Sequence, residues 1–211
     1  MDSRFDAAVA PMTNPTGVEL RALDVASLSG AQMKGFALLH LLEVMDRESL
    51  TAWDEWRALW PAPHRLALER RALSPSAWLP LEYYFHGVGW LAERRGGARE
   101  AIAIGHEITE ADISTFFRFV ASMASPATVL TLSPRFWRSY FDRSTVHITP
   151  VGAHSAVVEI RDWPLLHDAV SVHELAGSFF AFSDASRAKD LRVTRVELTR
   201  PGEFTFALAW R

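Results

Sequence analysis

The chain of 211 residues contains no cysteine. It can therefore form no disulfide framework, thiolate zinc site, iron–sulfur cluster or cysteine nucleophile. Folding at this length buries roughly 70% of the surface that the unfolded chain exposes, so one domain is stable without such links. Hydrophobic residues make up 49% of the chain and charged residues 22%. These shares are typical of soluble globular domains, and they exclude a disordered or low-complexity chain.

A surplus of positive charge and long apolar runs are also missing. The 22 basic and 25 acidic residues give a net charge of −3, which argues against a surface built to neutralise nucleic-acid phosphates. No apolar run approaches the roughly 18–20 residues of a membrane-spanning helix. The first dozen residues include two Asp and a Pro, unlike a signal peptide. We therefore predict a cytoplasmic protein whose partners include neither nucleic acid nor a membrane.

Catalytic and metal-binding motifs are absent as well. The sequence has no G-x-S-x-G motif, no glycine-rich phosphate loop and no H-E-x-x-H, and its eight histidines include no pair at positions i and i+4. Gly177 lies within a helical pattern, where glycine favours close packing against another helix. We predict a protein that is not an enzyme and holds neither metal nor cofactor. Haem bound through a helical histidine such as His86 or His106 stays open as a minor alternative.

Apolar residues recur at helical spacing through the first two-thirds of the chain. A serine or threonine at a helix start accepts a hydrogen bond from a free backbone N–H, and proline ends a helix or occupies its first turn. These signals predict helix starts at Ser29, Thr109, Ser125-Pro126 and Ser133-Pro134, a helix over 77–94 with Trp78 on its apolar stripe, and a helix through Leu50, Trp53, Trp56 and Trp60 that ends at Pro61.

From residue 144 the apolar period changes from 3.6 to 2. This predicts a hairpin over 144–161, a helix over 165–184, a bulged strand over 191–198 and a last strand over 204–210. The fold class is α+β: a helical N-terminal half followed by a roughly four-stranded antiparallel sheet, in the order β-β-α-β-β, packed on helices. Residues 1–28, with one strand at 18–25, are predicted to be an N-terminal extension, and residues 29–211 a single ligand-binding-like domain.

Eight tryptophans are the compositional anomaly, and most of them lie in the helical half. Large flat rings leave gaps when they pack, and a few polar groups among them make a small-molecule pocket. Ordinary core packing is the alternative for any single aromatic residue. The candidate ligand-binding residues combine ring area with a polar atom: Tyr84, His86, Trp90, His106, Trp137 and Tyr140.

Several short segments carry a family resemblance: residues 33–39 (MKGFALL), 76–81 (SAWLPL), 125–126 with 134–140 (PRFWRSY), and 202–210. They resemble a paralogue-rich family of uncharacterised myxobacterial proteins, which is distantly similar to the 4-vinyl reductase sensor domain, the haem-NO-binding fold and TRAPP trafficking subunits. The resemblance implies a ligand-binding or dimerising module on an α+β scaffold.

The chain departs from these relatives at their binding groups. The cysteine-ligated zinc of the 4-vinyl reductase type cannot form here, because Leu198 and Phe204 stand where relatives carry cysteines near the final hairpin. The Tyr-x-Ser-x-Arg motif of the haem-binding relatives is also missing. The resemblance therefore implies the fold more than the ligand.

Together these features predict a non-enzymatic sensor or binding module for an apolar or aromatic small molecule, homodimeric and active in bacterial signalling. The alternative is a structural protein–protein interaction module without a ligand, similar to the trafficking subunits. In that case Trp53, Trp56 and Trp60, which recur at i, i+3 and i+7, would be exposed as anchors. Packing of these rings against a neighbouring helix would argue against the alternative.

Overall fold

A computed structural model describes residues 5, 7–13, 28–113, 126–164, 169–186 and 188–211. The helices in these ranges are α1 (Gly35–Glu48), α2 (Ala52–Ala58), α3 (Ala62–Ala67), α4 (Leu81–Arg95), α5 (Ala101–Asp112), α6 (Pro126–Tyr140) and α7 (Ala169–Ala185). The strands are β1 (Met12–Thr13), β2 (Gln32–Lys34), β3 (Trp78–Pro80), β4 (Thr145–Gly152), β5 (Ser155–Arg161), β6 (Arg192–Arg200) and β7 (Glu203–Ala209). None of the described helices is long and apolar enough to cross a membrane.

The main sheet has five strands in the order β1-β6-β7-β5-β4. The two predicted hairpins and the helix between them are confirmed as β4-β5-α7-β6-β7, and the predicted bulge in the third strand appears between Val193 and Arg195. The prediction of four antiparallel strands is wrong in one respect: β1 adds a fifth strand, parallel to β6, with Met12 opposite Val196. A two-residue strand is too short to show an alternating pattern, so the sequence carries no signal for it.

The N-terminal segment is tied to the sheet by more than one contact. Thr13 Oγ1 donates a hydrogen bond to the backbone oxygen of Val196 at 3.2 Å, across 183 residues of sequence. Val9 forms a further parallel bridge with Val193. The strand predicted at 18–25 lies outside the described residues, and the domain boundary at residue 28 stays a prediction.

Two predicted helix starts are displaced by a second, small sheet. The Ser29 hydroxyl accepts a hydrogen bond from the backbone N–H of Ala31 at 3.2 Å. The chain then continues as β2, which pairs with β3 in antiparallel register, Met33 opposite Leu79. The helices predicted from Ser29 and from residue 77 therefore begin only at Gly35 and at Leu81.

Other helix boundaries are wrong because capping residues and prolines also occur inside helices. Thr109 lies in the last turn of α5 and begins no helix there. Pro61 precedes a new helix, α3, as well as following α2. Pro126 is the first residue of α6, as predicted, but Pro134 lies within that helix.

The three regularly spaced tryptophans belong to the core. Trp53 and Trp56 are 0% exposed and Trp60 is 1% exposed. Trp53 Nε1 donates to the backbone oxygen of Leu68 at 3.2 Å, and Trp56 Nε1 donates to Nδ1 of His86 on α4 at 2.9 Å. The exposed anchor surface expected for the interaction module is therefore wrong, since these rings pack against the neighbouring helix. Leu50 and Trp78, also predicted on apolar helix stripes, are 86% and 39% exposed.

Helices α5 and α7 cross with their backbones in contact at two glycines. A Cβ atom added to Gly105 would lie 2.2 Å from the backbone oxygen of Glu174, and one added to Gly177 would lie 2.0 Å from that of Ile102. The close packing predicted for Gly177 is thereby confirmed. It brings Thr109 Oγ1 of α5 within 2.7 Å of Ser178 Oγ of α7.

The close contact predicts that alanine substitutions at two helical glycines affect stability differently. We expect Gly177→Ala to lower the free energy of unfolding by about 3 kcal/mol or more, because the methyl group would have to displace backbone. Gly89→Ala is the matched control: its Cβ would lie 3.5 Å from Val170 Cγ2, an ordinary contact. Since alanine favours a helix over glycine by up to about 1 kcal/mol, Gly89→Ala should be neutral or stabilising. Urea denaturation measures both, and similar effects at both sites would contradict the packing argument.

Candidate functional site

A cavity of about 80 Å³ lies where α1, α4, α5, α6 and α7 meet β2 and the edge strand β4. Most of its lining is apolar, with a few hydroxyl and carboxyl groups among aromatic rings, as is usual for a small-molecule site. The lining residues are Met33, Ala37, Tyr84, Thr109, Asp112, Trp137, Tyr140, Phe141, Val146, Ile148, Glu174, Leu175, Ser178, Phe179 and Phe182.

Glu174 is the polar centre of this cavity. The residue is 4% exposed. Its Oε1 accepts a hydrogen bond from the Tyr84 hydroxyl at 2.7 Å and a longer one from Ser178 Oγ at 3.5 Å. Because Ser178 donates to the carboxylate, the Thr109 hydroxyl at 2.7 Å donates to Ser178. A chain of hydrogen bonds thus runs from α5 to the Glu174 carboxylate.

A second carboxyl, Asp112, stands at the end of α5. Its Oδ1 is paired with Nδ1 of His40 on α1, and the hydroxyl of Tyr140 donates a further hydrogen bond to it. The Asp112 side chain is 2% exposed and that of His40 is 25% exposed. The hydrogen bond to Asp112 raises the pKa of His40 above its ordinary value. The pair therefore favours a protonated imidazole beside a carboxylate.

Burial controls the acid–base properties of the cavity. Desolvation raises the pKa of Glu174 from 4.5 to about 7, against the hydrogen bonds from Tyr84 and Ser178, and the nearby charge of Asp112 acts in the same direction as burial. Burial likewise raises the pKa of Asp112, although the hydrogen bonds from His40 and Tyr140 oppose it. The two tyrosine hydroxyls have raised pKa values for the same reason and remain protonated donors.

The structure brings three of the six candidate residues together. Tyr84, Trp137 and Tyr140 line the cavity, although they come from α4 and α6. Trp137 Nε1 donates to Ser144 Oγ at 3.0 Å, and the Tyr140 ring packs edge-on against Phe36 with centroids 4.7 Å apart. These contacts hold the two rings in place. A ligand-binding role for the three residues remains a prediction.

The other three candidates lie elsewhere. Nδ1 of His86 accepts the hydrogen bond from Trp56, and burial lowers the pKa of this histidine. Trp90 is partly buried beneath the guanidinium of Arg94, 4.7 Å from its ring centroid. Nε2 of His106 lies 2.8 Å from Asp184 Oδ2. Each thus has a local structural partner, and neither His86 nor His106 lines the cavity.

The candidates chosen from the sequence omit the polar residues that distinguish this cavity. Glu174 and Ser178 lie four residues apart, and Thr109 and Asp112 three apart, so each pair shares one face of its helix. In the described part of α7, only Glu174 and Asp184 carry an acidic side chain, and the rest of its length is largely apolar. A buried acid in such a helix is the signal that could have found this site.

Among comparisons with known proteins, the one with solved structures identifies the fold. No family model matches the chain, and no curated protein does. The chain is similar to the Fe(II) unliganded H-NOX protein from K. algicida, at 10% identity and a TM-score of 0.63 over 85% of this chain and 97% of that one.

Two further H-NOX structures give the same result. The H-NOX protein from S. oneidensis in the Fe(II)NO ligation state has a TM-score of 0.62 at 13% identity, over 85% of this chain and 99% of that one. An oxygen-binding H-NOX domain related to soluble guanylate cyclases has a TM-score of 0.57 at 11% identity, over 85% and 95%. The chain therefore has the fold of H-NOX domains, and at these identities the likeness shows the fold alone.

The raised pKa of Glu174 predicts how stability depends on pH. The folded protein keeps this proton up to about pH 7, whereas the unfolded chain loses it near the ordinary value of 4.5. The free energy of unfolding therefore falls as pH rises between these values, by about 3 kcal/mol at about 1.4 kcal/mol per pH unit. Glu174→Gln removes this loss, so it should match the wild type near pH 4.5 and be more stable at pH 8.

Glu93→Gln, an exposed change on α4, is the control for this prediction and should keep the wild-type pH profile. Chemical denaturation of the three proteins at a series of pH values measures the difference. Parallel profiles for wild type and Glu174→Gln would contradict the assignment.

Proposed function

We propose that the chain is a small-molecule sensor or binding module, whose ligand is a compact and mostly apolar molecule held in the cavity between α5, α6, α7 and β4. The observation that carries the proposal is a cavity with aromatic walls and hydrogen-bonded carboxyls at its centre. Burying two carboxyls is unfavourable for stability, so a role in binding accounts for them better than a role in packing.

The fold supports the same class of function. The solved H-NOX proteins include one described in its Fe(II)NO state and one described as oxygen-binding, so this fold serves as a small-molecule binding domain in those proteins. The cavity of about 80 Å³ is smaller than the engineered cavity of about 150 Å³ that accepts benzene. The proposed ligand is accordingly about the size of benzene or smaller.

Haem does not fit the described lining. None of the described histidines lines the cavity, and the described lining holds no Lys or Arg to pair with the carboxylates of a porphyrin. Tyr84 and Tyr140 donate their hydroxyl protons to carboxylates, which leaves Met33, and a methionine ligates haem together with a histidine. The volume of about 80 Å³ is also below the roughly 300–1,000 Å³ of sites for drug-sized ligands. We therefore propose a ligand other than haem.

The alternative of a protein–protein interaction module is no longer supported, because the three tryptophans expected as exposed anchors are buried. The homodimer and the place in bacterial signalling stay predictions.

Ligand binding is tested by thermal denaturation with compounds of increasing size: small alcohols and amines, phenol, indole, a fatty acid and a porphyrin. A compact compound at about 100 times its Kd adds about 2.7 kcal/mol of stability, which raises Tm by about 5–10 °C for a domain of this length. The fatty acid and the porphyrin should give no such rise, since the cavity is too small for them.

Ala37→Leu fills the cavity and should abolish the rise in Tm while the ligand-free protein stays folded. Ala111→Leu makes the same change at an exposed position of α5 and should leave the rise intact. If no compound raises Tm, or if Ala37→Leu responds like the wild type, the proposed site is wrong.

Titration with haemin tests the second part of the proposal. We expect no Soret shift that saturates at one equivalent of haemin. Tight one-to-one binding would contradict the argument from the cavity lining.

A further inference from the structure

Every hydroxyl group of the described lining donates its hydrogen bond within the protein. Tyr84 donates to Glu174, Tyr140 donates to Asp112, and Thr109 donates through Ser178 to Glu174. Each of these donors ends on one of the two carboxyls. In the described lining, a ligand can therefore form hydrogen bonds only with the carboxylate oxygens. When the carboxyls are ionised, these oxygens are acceptors, so the ligand must donate.

The ionisable groups of the described lining are all acidic or phenolic. The described lining contains two carboxyl groups and no Lys, Arg or His. Asp112 has a basic partner in His40, behind the cavity wall. Glu174 has Tyr84 and Ser178 as partners, and neither is a cation. Glu174 is 4% exposed, and when it is ionised no cationic side chain of the described lining compensates its charge.

The walls of the cavity also favour a cation. The described lining includes six aromatic residues: Tyr84, Trp137, Tyr140, Phe141, Phe179 and Phe182. Trp137 and Phe141 lie with ring centroids 4.5 Å apart, and Phe179 is held against Phe206 at 5.1 Å. The negative face of an aromatic ring attracts a desolvated cation. The rings and the carboxyls therefore both favour a cationic ligand.

We propose that the cavity is a site for a small organic ammonium ion, with its N–H groups toward Glu174 and Asp112 and its apolar part among the aromatic rings. This inference rests on the proposed function and names the chemical class of its ligand. An ammonium group supplies up to three donors and one positive charge. The described lining has no donor left for a ligand and no cationic side chain. A neutral alcohol supplies one donor without the charge, and a carboxylate ligand would meet two like charges.

The ionisation of Glu174 determines the conditions of the test. The titratable groups that face it are Tyr84 on α4, Asp112 on α5 and Tyr140 on α6. Both tyrosines are protonated, so Asp112 is the neighbour whose charge matters. At about pH 8 Glu174 is mostly ionised, since its pKa is about 7, whereas an alkylamine, like the side chain of lysine, remains protonated.

The experiment compares ligands that share a carbon skeleton and differ in charge. Isobutylamine, isobutanol and isobutyrate form one set, and benzylamine, benzyl alcohol and benzoate form a larger one. Calorimetric or NMR titration of the full chain at about pH 8 gives each Kd. We expect the amine of the better-fitting set to bind at least about tenfold more tightly than its alcohol, and the carboxylate at least about tenfold more weakly than the alcohol.

Glu174→Gln separates the charge from the shape of the site. The glutamine oxygen can still accept from Tyr84, and removal of a buried charge does not threaten folding. The preference for the amine over the alcohol should fall to about threefold or less, because the variant keeps the shape of the site and lacks its negative charge. Glu93→Gln, on the exposed face of α4, should keep the full preference.

The outcomes distinguish the two proposals. Equal affinities for amine and alcohol, or an amine preference that survives in Glu174→Gln, overturn the ammonium assignment and leave the proposed function standing. Failure of every compound in both sets to bind a folded wild-type protein overturns the proposed function together with this inference.

Discussion

The contact between the backbones of α5 and α7 is the constraint on which the rest of the structure depends. Gly105 and Gly177 remove the side chains that would keep the two helices apart. The helices approach closely enough for Thr109 and Ser178 to share a hydrogen bond, and this places the Glu174 carboxyl beside the cavity. The helix pair packs on the sheet through Phe179 and Phe206 and also carries the polar groups of the cavity.

The cavity is a compromise between burial and hydrogen bonding. Desolvation makes each carboxyl costly, and the tyrosine, serine and histidine partners offset part of that cost. A core optimised for stability alone would place apolar side chains at Asp112 and Glu174. Departures of this kind from good packing are expected at functional sites, where binding and not stability determines the residue. The two buried carboxyls are stabilised by hydrogen bonds from Tyr84, Tyr140 and His40.

The alternating pattern after residue 144 was sufficient to predict both hairpins and the bulge, because an antiparallel sheet with one buried face imposes a period of two on its own sequence. Helix starts were predicted less well. Ser29 and Thr109 carry capping signals, yet one lies in a turn before β2 and the other near the end of α5. Such signals are local, and the pairing of β2 with β3 over some 46 residues overrides the one at Ser29.

The lining of the cavity can be predicted only in part from the sequence, because its residues come from helices that are far apart along the chain. A search for rings with polar atoms finds Tyr84, Trp137 and Tyr140, which line the cavity, but also His86 and His106, whose partners lie elsewhere. Among the 25 acidic residues, Glu174 is distinguished by the largely apolar helix around it, but nothing in the sequence places it beside Tyr84. Tyr84 and Glu174 are 90 residues apart, and only the crossing of the helices reveals that they meet.

The short parallel strand β1 can pair only after a strand that is synthesised much later has formed. Its partner β6 lies 183 residues further along the chain at the Thr13–Val196 contact. A ribosome must therefore release the chain past Val196 before the sheet can close along this edge. Helical pairs such as α1 and α4 have their partners available much earlier, so during translation a helical intermediate should precede the finished sheet, as is usual when contacts distant in sequence form last.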